Sequence, residues 1–426
     1  MKSIILSALL ICSIELSFSQ SWVQIYSSDN SYNTGLQFLD ANTGFRCGYS
    51  SSGSLGIGGV SKSTNGGNNW IGVFGGLPVY AVCFIDHNTG WIAGGYFDDI
   101  PKKSREIFKT TNGGLNFTRQ FLDSNQNTLS SIQFVTQDVG FVLTQNGILY
   151  TSNSGSNWIT RSVPGVGSTN MYFVNSTTGF ASGYINGSQC YMCKTTNAGL
   201  NWTAETINGR INDIFFVNES TGWVLNSESK IYKTTDGWNS RTTIDIGLSN
   251  ASSIFFYGTS TGWLCGSNGQ MYYTSNGGTN WTAQNSGTTA GLFSVFFVNS
   301  NTGWVLGNEF VNPFLMRTSI HKTTNGGISA ISNISSEVPA EYSLSQNYPN
   351  PFNPTTNFEF RIADFGFVNL TIYDAMGRVV KTLQHGDMKP GVYQAQWNGA
   401  EYPSGVYFYR LSANGFNETK KMILTK

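Results

Sequence analysis

Charged residues are scarce in this 426-residue chain. Asp, Glu, Lys and Arg make up 11% of it, whereas they make up about 25% of an ordinary soluble domain. The 24 basic and 24 acidic residues also cancel each other. Because a nucleic-acid-binding protein needs a basic face, we expect no nucleic-acid partner.

Long apolar segments are missing as well. The apolar run from Ile4 to Ile11 is too short to cross a membrane, and no later run could do so, so we expect no transmembrane segment. Lys2 before this run, and the small residues Ser17 and Ser19 after it, are typical of a signal peptide. The sequence therefore predicts an exported protein with a signal peptide over residues 1–19.

Cysteine and histidine are few, with six and three residues. Cys47 and Cys265 stand at equivalent positions of two repeats, where a small buried apolar side chain is expected. Cys190 and Cys193 form a CxxC motif, but three residues along a strand put the two thiols on opposite faces. No histidine has a partner at ligand spacing. We therefore expect no metal site, and no metal or organic cofactor is implied.

One pattern occurs seven times: a phenylalanine is followed six residues later by a glycine and then by an aromatic residue. Successive copies are 39 to 50 residues apart, close to the length of a four-stranded propeller blade. After the N-terminus, short apolar segments without a helical period predict strands only. The sequence thus predicts a seven-bladed β-propeller over residues 20–335. The copies are Phe38/Gly44/Phe45, Phe84/Gly90/Trp91, Phe134/Gly140/Phe141, Phe173/Gly179/Phe180, Phe216/Gly222/Trp223, Phe256/Gly262/Trp263 and Phe297/Gly303/Trp304.

A second signature, Ser/Thr-x-Asn/Asp-x-Gly-x-x-Trp, follows in every repeat and is degenerate in the fifth and seventh. Its Asn or Asp side chain can bond backbone N–H groups further along the chain, and its glycine adopts a positive φ without steric cost. The signature therefore predicts a tight turn between the third and fourth strands of each blade. The structural residues of these turns are Asn65, Asn112, Asn153, Asn197, Asp236, Asn276 and Asn325.

This repeat resembles the Asp-box (BNR) repeat of sialidases. It is still more similar to the repeat of the photosystem II assembly factor family, in which Gly-Trp, Thr-Thr-Asn/Asp-Gly-Gly and Trp follow in this order. The resemblance covers about residues 21 to 330 and implies a propeller fold. It implies little chemistry, because Asp-boxes are structural turns placed away from the active face. The Phe/Tyr-Arg-Ile-Pro motif of sialidases is absent from this chain.

The seventh repeat lacks the aromatic residue of its turn and runs into a Ser-rich stretch, so its blade lacks a fourth strand. The N-terminal segment from Ser21 to Tyr26 is similar to the fourth strands of the other blades. We predict that this segment completes blade seven and removes the edges that an open ring would expose.

The composition changes beyond residue 335. Residues 336–355 are rich in Pro, Asn and Ser and are predicted to form a linker. Alternating apolar segments over residues 356–426 predict a small antiparallel, immunoglobulin-like β-sandwich. The expected fold class is therefore all-β, with a seven-bladed propeller followed by a sandwich.

The C-terminal residues resemble the type A sorting domain of the type IX secretion system of Bacteroidetes. The match starts at residue 341, and its motifs are NYPNPFNP at 347–354, YDAMGRVV at 373–380, PSGVYFYRL at 403–411 and KKMIL at 420–424. The resemblance implies recognition by the type IX secretion machinery, followed by release or attachment at the outer cell surface. The alternative is an immunoglobulin-like module that binds carbohydrate.

The propeller is predicted to be a non-enzymatic binding scaffold for an extracellular protein or glycan. Its few arginines are scattered, and no residue is assigned a catalytic role. Propeller glycosidases need only two carboxylates on one face, so a secreted glycan-active hydrolase is the alternative. Asp98, Asp99 and Glu309 keep this alternative open.

Three connections between second and third strands are long, at Tyr49 to Gly59, Tyr96 to Arg105 and Asn308 to Thr318. Repeats seven, one and two are neighbours in a closed ring, so these loops are expected to converge on one sector of the face opposite the turns. Such loops commonly carry binding residues, although surface loops also tolerate insertions without function. The candidate ligand-binding residues are Tyr96, Phe97, Asp98, Asp99, Arg105, Glu309, Phe310, Phe314 and Arg317.

Overall fold

The computed structural model describes residues 22–50, 58–96, 104–123, 129–186, 189–228, 230–247, 250–312, 315–327, 331–335, 337–399 and 402–426. These residues form two compact units, one within residues 21–328 and the other within residues 329–426. Both units consist of β-strands and turns, which confirms the all-β prediction. No helix in the described ranges is long and apolar enough to cross a membrane.

The described part of the first unit forms seven four-stranded antiparallel sheets, the blades of a propeller. Blade one consists of β2 (Ser31–Phe38), β3 (Gly44–Ser50), β4 (Gly58–Ser63) and β5 (Ile71–Gly75), and blade two of β6 (Val79–Phe84), β7 (Gly90–Tyr96), β8 (Ser104–Thr110) and β9 (Thr118–Asp123). Blade three consists of β10 (Leu129–Phe134), β11 (Gly140–Thr144), β12 (Gly147–Thr151) and β13 (Ile159–Arg161), and blade four of β14 (Val166–Phe173), β15 (Gly179–Asn186), β16 (Gln189–Thr195) and β17 (Thr203–Asn208).

The remaining three blades follow the same order. Blade five consists of β18 (Ile211–Phe216), β19 (Gly222–Asn226), β20 (Lys230–Thr234) and β21 (Thr242–Asp245), and blade six of β22 (Ala251–Tyr257), β23 (Thr261–Gly266), β24 (Gln270–Thr274) and β25 (Thr282–Asn285). Blade seven consists of β26 (Gly291–Phe297), β27 (Gly303–Asn312), β28 (Leu315–Thr323) and the N-terminal strand β1 (Val23–Asp29). The first strand of each blade contacts the first strand of the next, so these seven strands form the inner circle of the ring.

Stacked aromatic pairs hold the seams between blades. In each pair the aromatic residue of the first signature stacks on the phenylalanine of the following blade, with ring centroids 3.4 to 3.8 Å apart. The pair of Trp304 and Phe38 joins blade seven to blade one and closes the ring. The glycine of the signature is needed because it lies against the phenylalanine of its own blade. A Cβ at Gly303, for example, would lie 2.4 Å from the Phe297 ring.

The turns between third and fourth strands share one hydrogen-bond pattern. In blade three the Thr151 hydroxyl donates to Asn153 Oδ1 (3.0 Å) and accepts the N–H of Gly155 (3.0 Å). Asn153 Oδ1 also accepts the N–H of Asn157 at 2.9 Å. The bond from the hydroxyl to the Asn or Asp oxygen is present in all seven turns, so these side chains close the turns from within.

The N-terminal strand completes blade seven, as the sequence predicts. β1 pairs antiparallel with β28, from Val23 opposite Lys322 to Asp29 opposite Arg317. Trp22, just before this strand, is fully buried, and its Nε1 donates to Gln284 Oε1 of blade six at 3.0 Å. The ring is therefore closed by strands from both ends of the propeller sequence.

The second unit is a sandwich of two four-stranded sheets. One sheet has the order β29 (Ile331–Ser335), β34 (Gly391–Asn398), β31 (Thr355–Ile362), β30 (Ser343–Leu344). The other has the order β33 (Val379–Met388), β32 (Gly366–Asp374), β35 (Gly405–Ala413), β36 (Phe416–Leu424). Its core contains Phe358, Ile372, Trp397 and Tyr409, and alternate residues of each strand point into it.

The start of the sandwich differs from the boundaries expected from the sequence. Residues 331–335 were assigned to the propeller and residues 336–355 to a linker, yet β29 pairs with β34 and β30 pairs with β31. The Pro-rich segment also packs into the sandwich, since Phe352 is buried against Trp397 and the N–H of Asn347 donates to the Tyr409 hydroxyl at 2.8 Å. The physical reason is that β1 already fills the outer place in blade seven, so β29 pairs elsewhere.

Candidate functional site

The two ends of the ring differ in what they carry. The turn end carries the seven Ser/Thr-x-Asn/Asp turns. The opposite end carries the connections between second and third strands and the first residues of the inner strands. In blade one it includes Ser31, Ser50 and Gly58. The described ends of the three long connections lie at the opposite end of blades seven, one and two, which are consecutive in the ring.

Four half-buried aromatic side chains, the aromatic row, cross the opposite end of these three blades. Tyr32 stacks on Phe293 of blade seven, with ring centroids 6.4 Å apart, and lies 5.2 Å from Tyr49. Tyr49 in turn contacts Tyr80 of blade two at 6.0 Å, and the Tyr80 hydroxyl donates to the Gly95 carbonyl at 2.9 Å. Burial, and after it the neighbouring Tyr32, raises the pKa of Tyr49. The aromatic row thus forms one surface across two seams.

The sequence analysis did not identify the aromatic row, although a signal for part of it exists. Tyr80 and Phe293 each stand four residues before the phenylalanine of the first signature. The other five blades have small or polar residues at this position. Those residues are Thr34, Ser130, Thr169, Asn212 and Ser252. An aromatic residue there in two nearby blades is a departure from the repeat, and such departures point to function.

The hairpin of β27 and β28 extends blade seven at the opposite end. The Phe310 side chain is 74% exposed on it. Arg317 Nε lies 2.6 Å from Asp29 Oδ1, and its Nη1 lies 3.5 Å from Glu309 Oε1. The hydrogen bond to Asp29 is the main cause that raises the pKa of Arg317. The hairpin therefore carries an exposed aromatic ring on one face and, on the other, Arg317 with its two carboxylate partners.

Buried polar contacts join this hairpin to blade one. The backbone N–H of Asn33 donates to Thr318 Oγ1 at 3.3 Å, and Asn308 Nδ2 donates to the Asn33 carbonyl at 3.4 Å. The Thr318 hydroxyl also contacts the Ser31 carbonyl at 3.1 Å and Asn308 Oδ1. These bonds fix the hairpin against the strand that carries Tyr32.

Arg105 does not lie in an exposed loop, where the sequence predicts it. It lies in β8 opposite Gly95, and its side chain is buried. Its Nη1 donates to the Ser104 carbonyl at 3.0 Å. Burial lowers the pKa of Arg105, and the nearby Tyr80 and Asp123 partly offset this effect. Because β8 begins at Ser104, Arg105 belongs to the packed sheet, whereas the sequence analysis placed it in an exposed loop.

The other candidate residues fall into two groups. Glu309, Phe310 and Arg317 come together on the blade-seven hairpin. Tyr96 is the last residue of β7 and pairs with Ser104. Phe97, Asp98, Asp99 and Phe314 lie outside the described residues. The ligand-binding role of all nine candidates remains a prediction.

The described cysteines lie in packed cores, which is typical of structural residues. The five described cysteines are buried free thiols. Cys190 packs in a core cluster with Phe216, and Cys193 packs in another with Phe141, on the other face of β16. Burial raises the pKa of the Cys47 thiol to about 12. The ranges that the structure describes contain no group of three or more His, Cys, Asp or Glu side chains placed to hold a metal ion.

The C-terminal unit matches a known family. Residues 346–425 match the family of secretion system C-terminal sorting domains. The sandwich is therefore a sorting domain of the type IX secretion system, and the chain is exported for secretion or attachment at the cell surface. An interaction of this domain with the secretion machinery follows. No curated protein matches the chain in sequence.

Solved structures share the propeller fold. YCF48 bound to a D1 peptide is 15% identical, with a TM-score of 0.54, and the match covers 71% of this chain and 98% of that chain. YCF48 from Cyanidioschyzon merolae is 16% identical, with a TM-score of 0.54 and coverage of 72% and 98%. PorZ, a surface component of the type IX secretion system of Porphyromonas gingivalis, is 13% identical over 93% of this chain and 60% of its own, with a TM-score of 0.49. The propeller thus resembles the photosystem II assembly factor family in fold.

Proposed function

We propose that the propeller is a non-enzymatic binding module outside the cell, and that the aromatic row and the blade-seven hairpin hold its ligand, an extracellular protein or glycan. The aromatic row is the observation that carries this proposal. Tyrosine and phenylalanine bury large areas with little loss of side-chain entropy, and the tyrosine hydroxyl adds a directed bond. Stacking and the Tyr80 hydrogen bond hold the rings in place before a ligand arrives.

The scaffold supports the same role. Three residues of the aromatic row stand on inner strands, and Tyr49 stands on β3, the second strand of blade one. The seams of these blades are fixed by aromatic stacks and buried hydrogen bonds, so a ligand would meet a rigid surface. Export by the sorting domain brings this surface into contact with extracellular material. YCF48, a propeller of the same fold, is seen with a bound peptide, which supports the use of this fold for binding.

The described charges do not favour the hydrolase alternative. A glycosidase needs two carboxyl groups that flank one glycosidic bond. Asp29 of β1 and Glu309 of the hairpin both lie against the same guanidinium of Arg317, so each already has a cationic partner. We therefore propose binding without turnover.

The proposal can be tested with the exported chain on a glycan array and a peptide array, together with a panel of chromogenic glycosides. Tyr32→Ala and Tyr49→Ala are expected to weaken binding at least about tenfold, because a buried aromatic contact contributes more than about 1.4 kcal/mol. Tyr257→Ala is the matched control, since Tyr257 is 49% exposed at the turn end of blade six. Melting curves show whether each variant remains folded.

Two results would contradict the proposal. One is turnover of a glycoside by the wild-type chain. The other is binding that survives both variants of the aromatic row but is lost in the Tyr257 variant, because the ligand would then occupy the turn end.

A further inference from the structure

A cleft of about 260 Å³ lies beside the aromatic row, between β1 of blade seven and the sheet of blade one. Tyr26 lines it from β1, and Asn33, Arg46 and Tyr49 line it from blade one. Tyr49 lines the edge of the cleft, but its ring lies on the other face of β3 from Arg46, with Tyr80 of blade two. The Arg46 guanidinium and the side-chain amide of Asn33 take no part in the hairpin contacts described above.

The Arg46 guanidinium is fixed between two aromatic rings. Its central carbon lies 4.0 Å from the centroid of the Tyr26 ring and 5.3 Å from that of Trp70. Its Nε is buried and has no hydrogen-bond partner. Burial lowers the pKa of Arg46, and Tyr26 partly offsets this effect, yet a guanidinium stays charged at neutral pH. The cleft therefore contains a half-buried positive charge in a fixed position.

This charge lacks the partner that comparable arginines have. Arg241 lies 2.5 Å from Glu205, and Arg317 lies 2.6 Å from Asp29. Among the described residues, Arg46 forms no ion pair with a carboxylate, and its side-chain partner is Tyr26. A charge removed from water without a counter-charge is costly, so an anion that enters the cleft would be stabilised.

Asn33 adds a second donor to the same cleft. Its side chain is 5% exposed, and its Nδ2 has no hydrogen-bond partner. Its backbone N–H and carbonyl bond to Thr318 and Asn308, so the residue cannot easily rotate away. A buried donor without an acceptor costs about 1–3 kcal/mol, which a ligand oxygen would recover.

The strand order leaves space next to Arg46. Arg46 of β3 pairs with Ser61 of β4, and Ser61 pairs with Gly72 of β5, so these three residues share one face of blade one. Gly72 has no side chain, and a Cβ at this position would meet no atom within 4 Å. The face beside the guanidinium is thus open, with the hydroxyls of Ser28 and Ser61 in its walls.

We infer that this cleft binds the carboxylate of an acidic sugar, with Arg46 as the counter-charge and Asn33 as a second donor. A guanidinium and a carboxylate are matched in geometry and can form two parallel hydrogen bonds. The hydroxyls of Ser28 and Ser61 suit the hydroxyls of a sugar. The inference rests on the proposed binding function, because the acidic sugar would be the part of the glycan that lies next to the aromatic row.

The test is direct titration of the exported chain with sodium glucuronate, followed by protein-observed NMR or calorimetry, with glucose as the neutral counterpart. Glucuronate is expected to bind and glucose to bind at least about tenfold more weakly, since a charged hydrogen-bonded pair contributes about 1.5–3 kcal/mol. Arg46→Gln should cause a similar loss. Gly72→Val should also abolish binding by filling the open face, and it leaves the guanidinium intact in case Arg46→Gln fails to fold.

Arg161→Gln is the matched control, because Arg161 also stacks on a tyrosine, Tyr150, at 3.6 Å but lies in blade three. Its affinity for glucuronate should equal that of the wild type. The inference is overturned if glucuronate fails to bind, if Arg161→Gln loses as much affinity as Arg46→Gln, or if acetylated amino acids bind while glucuronate does not. If array binding still depends on Tyr32 and Tyr49 in any of these cases, the proposed binding function stands and only the acidic sugar is wrong.

Discussion

The turn end and the opposite end of the ring are built by different rules. At the turn end, the seven blades repeat one turn with the same hydroxyl-to-Asn or Asp bond and one stacked aromatic pair per seam. At the opposite end, blades seven, one and two carry the aromatic row, the long hairpin and the open cleft. The repeated end closes the ring, and the varied end is where we propose that the ligand binds.

This difference has a physical basis. A seam must be packed seven times without a gap, because a ring with one weak seam exposes strand edges. The glycine beside each stack leaves no room for a side chain, since even one methyl group at Gly303 would overlap the Phe297 ring. At the opposite end the contacts across the seams are not one repeated stack, and the loops there can vary. Substitutions at the two ends should therefore separate stability from binding.

The largest effect is expected at the closing seam. Trp304 is fully buried and stacks on Phe38 at 3.6 Å, so Trp304→Ala leaves a cavity between the last and first blades. We expect the free energy of unfolding to fall by about 3–5 kcal/mol. Denaturant unfolding of the exported chain measures this loss.

Trp304→Phe is the matched control for this seam. Phenylalanine occupies the equivalent position in blades one, three and four as Phe45, Phe141 and Phe180, so the stack should be kept. The variant loses the bond from Trp304 Nε1 to the Gly66 carbonyl (2.9 Å), and we expect a loss of about 1 kcal/mol. An equal loss in both variants would show that stacking does not close the ring.

Two buried groups of the ring are expected to give opposite responses to pH. Burial raises the pKa of Asp213 from 3.8 to about 6, against the bonds from the N–H groups of Ile254 and Ile214. The folded state therefore keeps Asp213 protonated up to a higher pH than the unfolded state does. Stability is then lost as the pH rises from about 4 to 6. Burial lowers the pKa of His321 from 6.5 to about 4. Here the unfolded state binds the proton first, so stability is lost as the pH falls over nearly the same range.

Single variants should separate these two changes of stability with pH. Each shift corresponds to about 3 kcal/mol at its limit. Of these two responses, Asp213→Asn keeps that of His321, so the melting temperature should fall more steeply than that of the wild type from pH 6.5 to 4. In His321→Gln only the Asp213 response remains, and the melting temperature should rise on acidification over this range. Parallel curves for wild type and both variants would mean that neither group titrates in the folded protein as burial requires.

The sequence predicted the fold because the fold repeats. The first signature occurs seven times because its phenylalanine, glycine and aromatic residue each have a packing role in every seam. Strand β1 was predicted from its likeness to the other fourth strands. The start of the sandwich was not predicted, because β29 has no repeat with which it can be compared. Its partner β34 also lies about sixty residues further on, as the pair of Ile331 and Ala395 shows.

For the candidate site, the sequence could predict only which sector of the ring carries it. Long connections indicated blades seven, one and two, and three of the nine candidates lie together on the hairpin. The aromatic row depends on which side chains meet across seams, and loop length carries no such information. In the sequence, Arg46 is one of several scattered arginines. The lack of a nearby carboxylate becomes visible only in the packed ring. Departures from the repeat, as at Tyr80 and Phe293, were the signal that sequence alone could have used.

The smallest effect on stability should give the sharpest contrast between the two ends. Phe310 at the opposite end is 74% exposed, and Leu115 in the blade-two turn is 79% exposed. Neither side chain fills a core, so Phe310→Ser and Leu115→Ser should each change the free energy of unfolding by less than about 0.5 kcal/mol. Phe310→Ser should nevertheless weaken binding to the array ligand, because an exposed aromatic ring of the hairpin is lost, whereas Leu115→Ser should bind like the wild type. Loss of binding in the Leu115 variant alone, with both melting curves unchanged, would place the ligand on the repeated end of the ring.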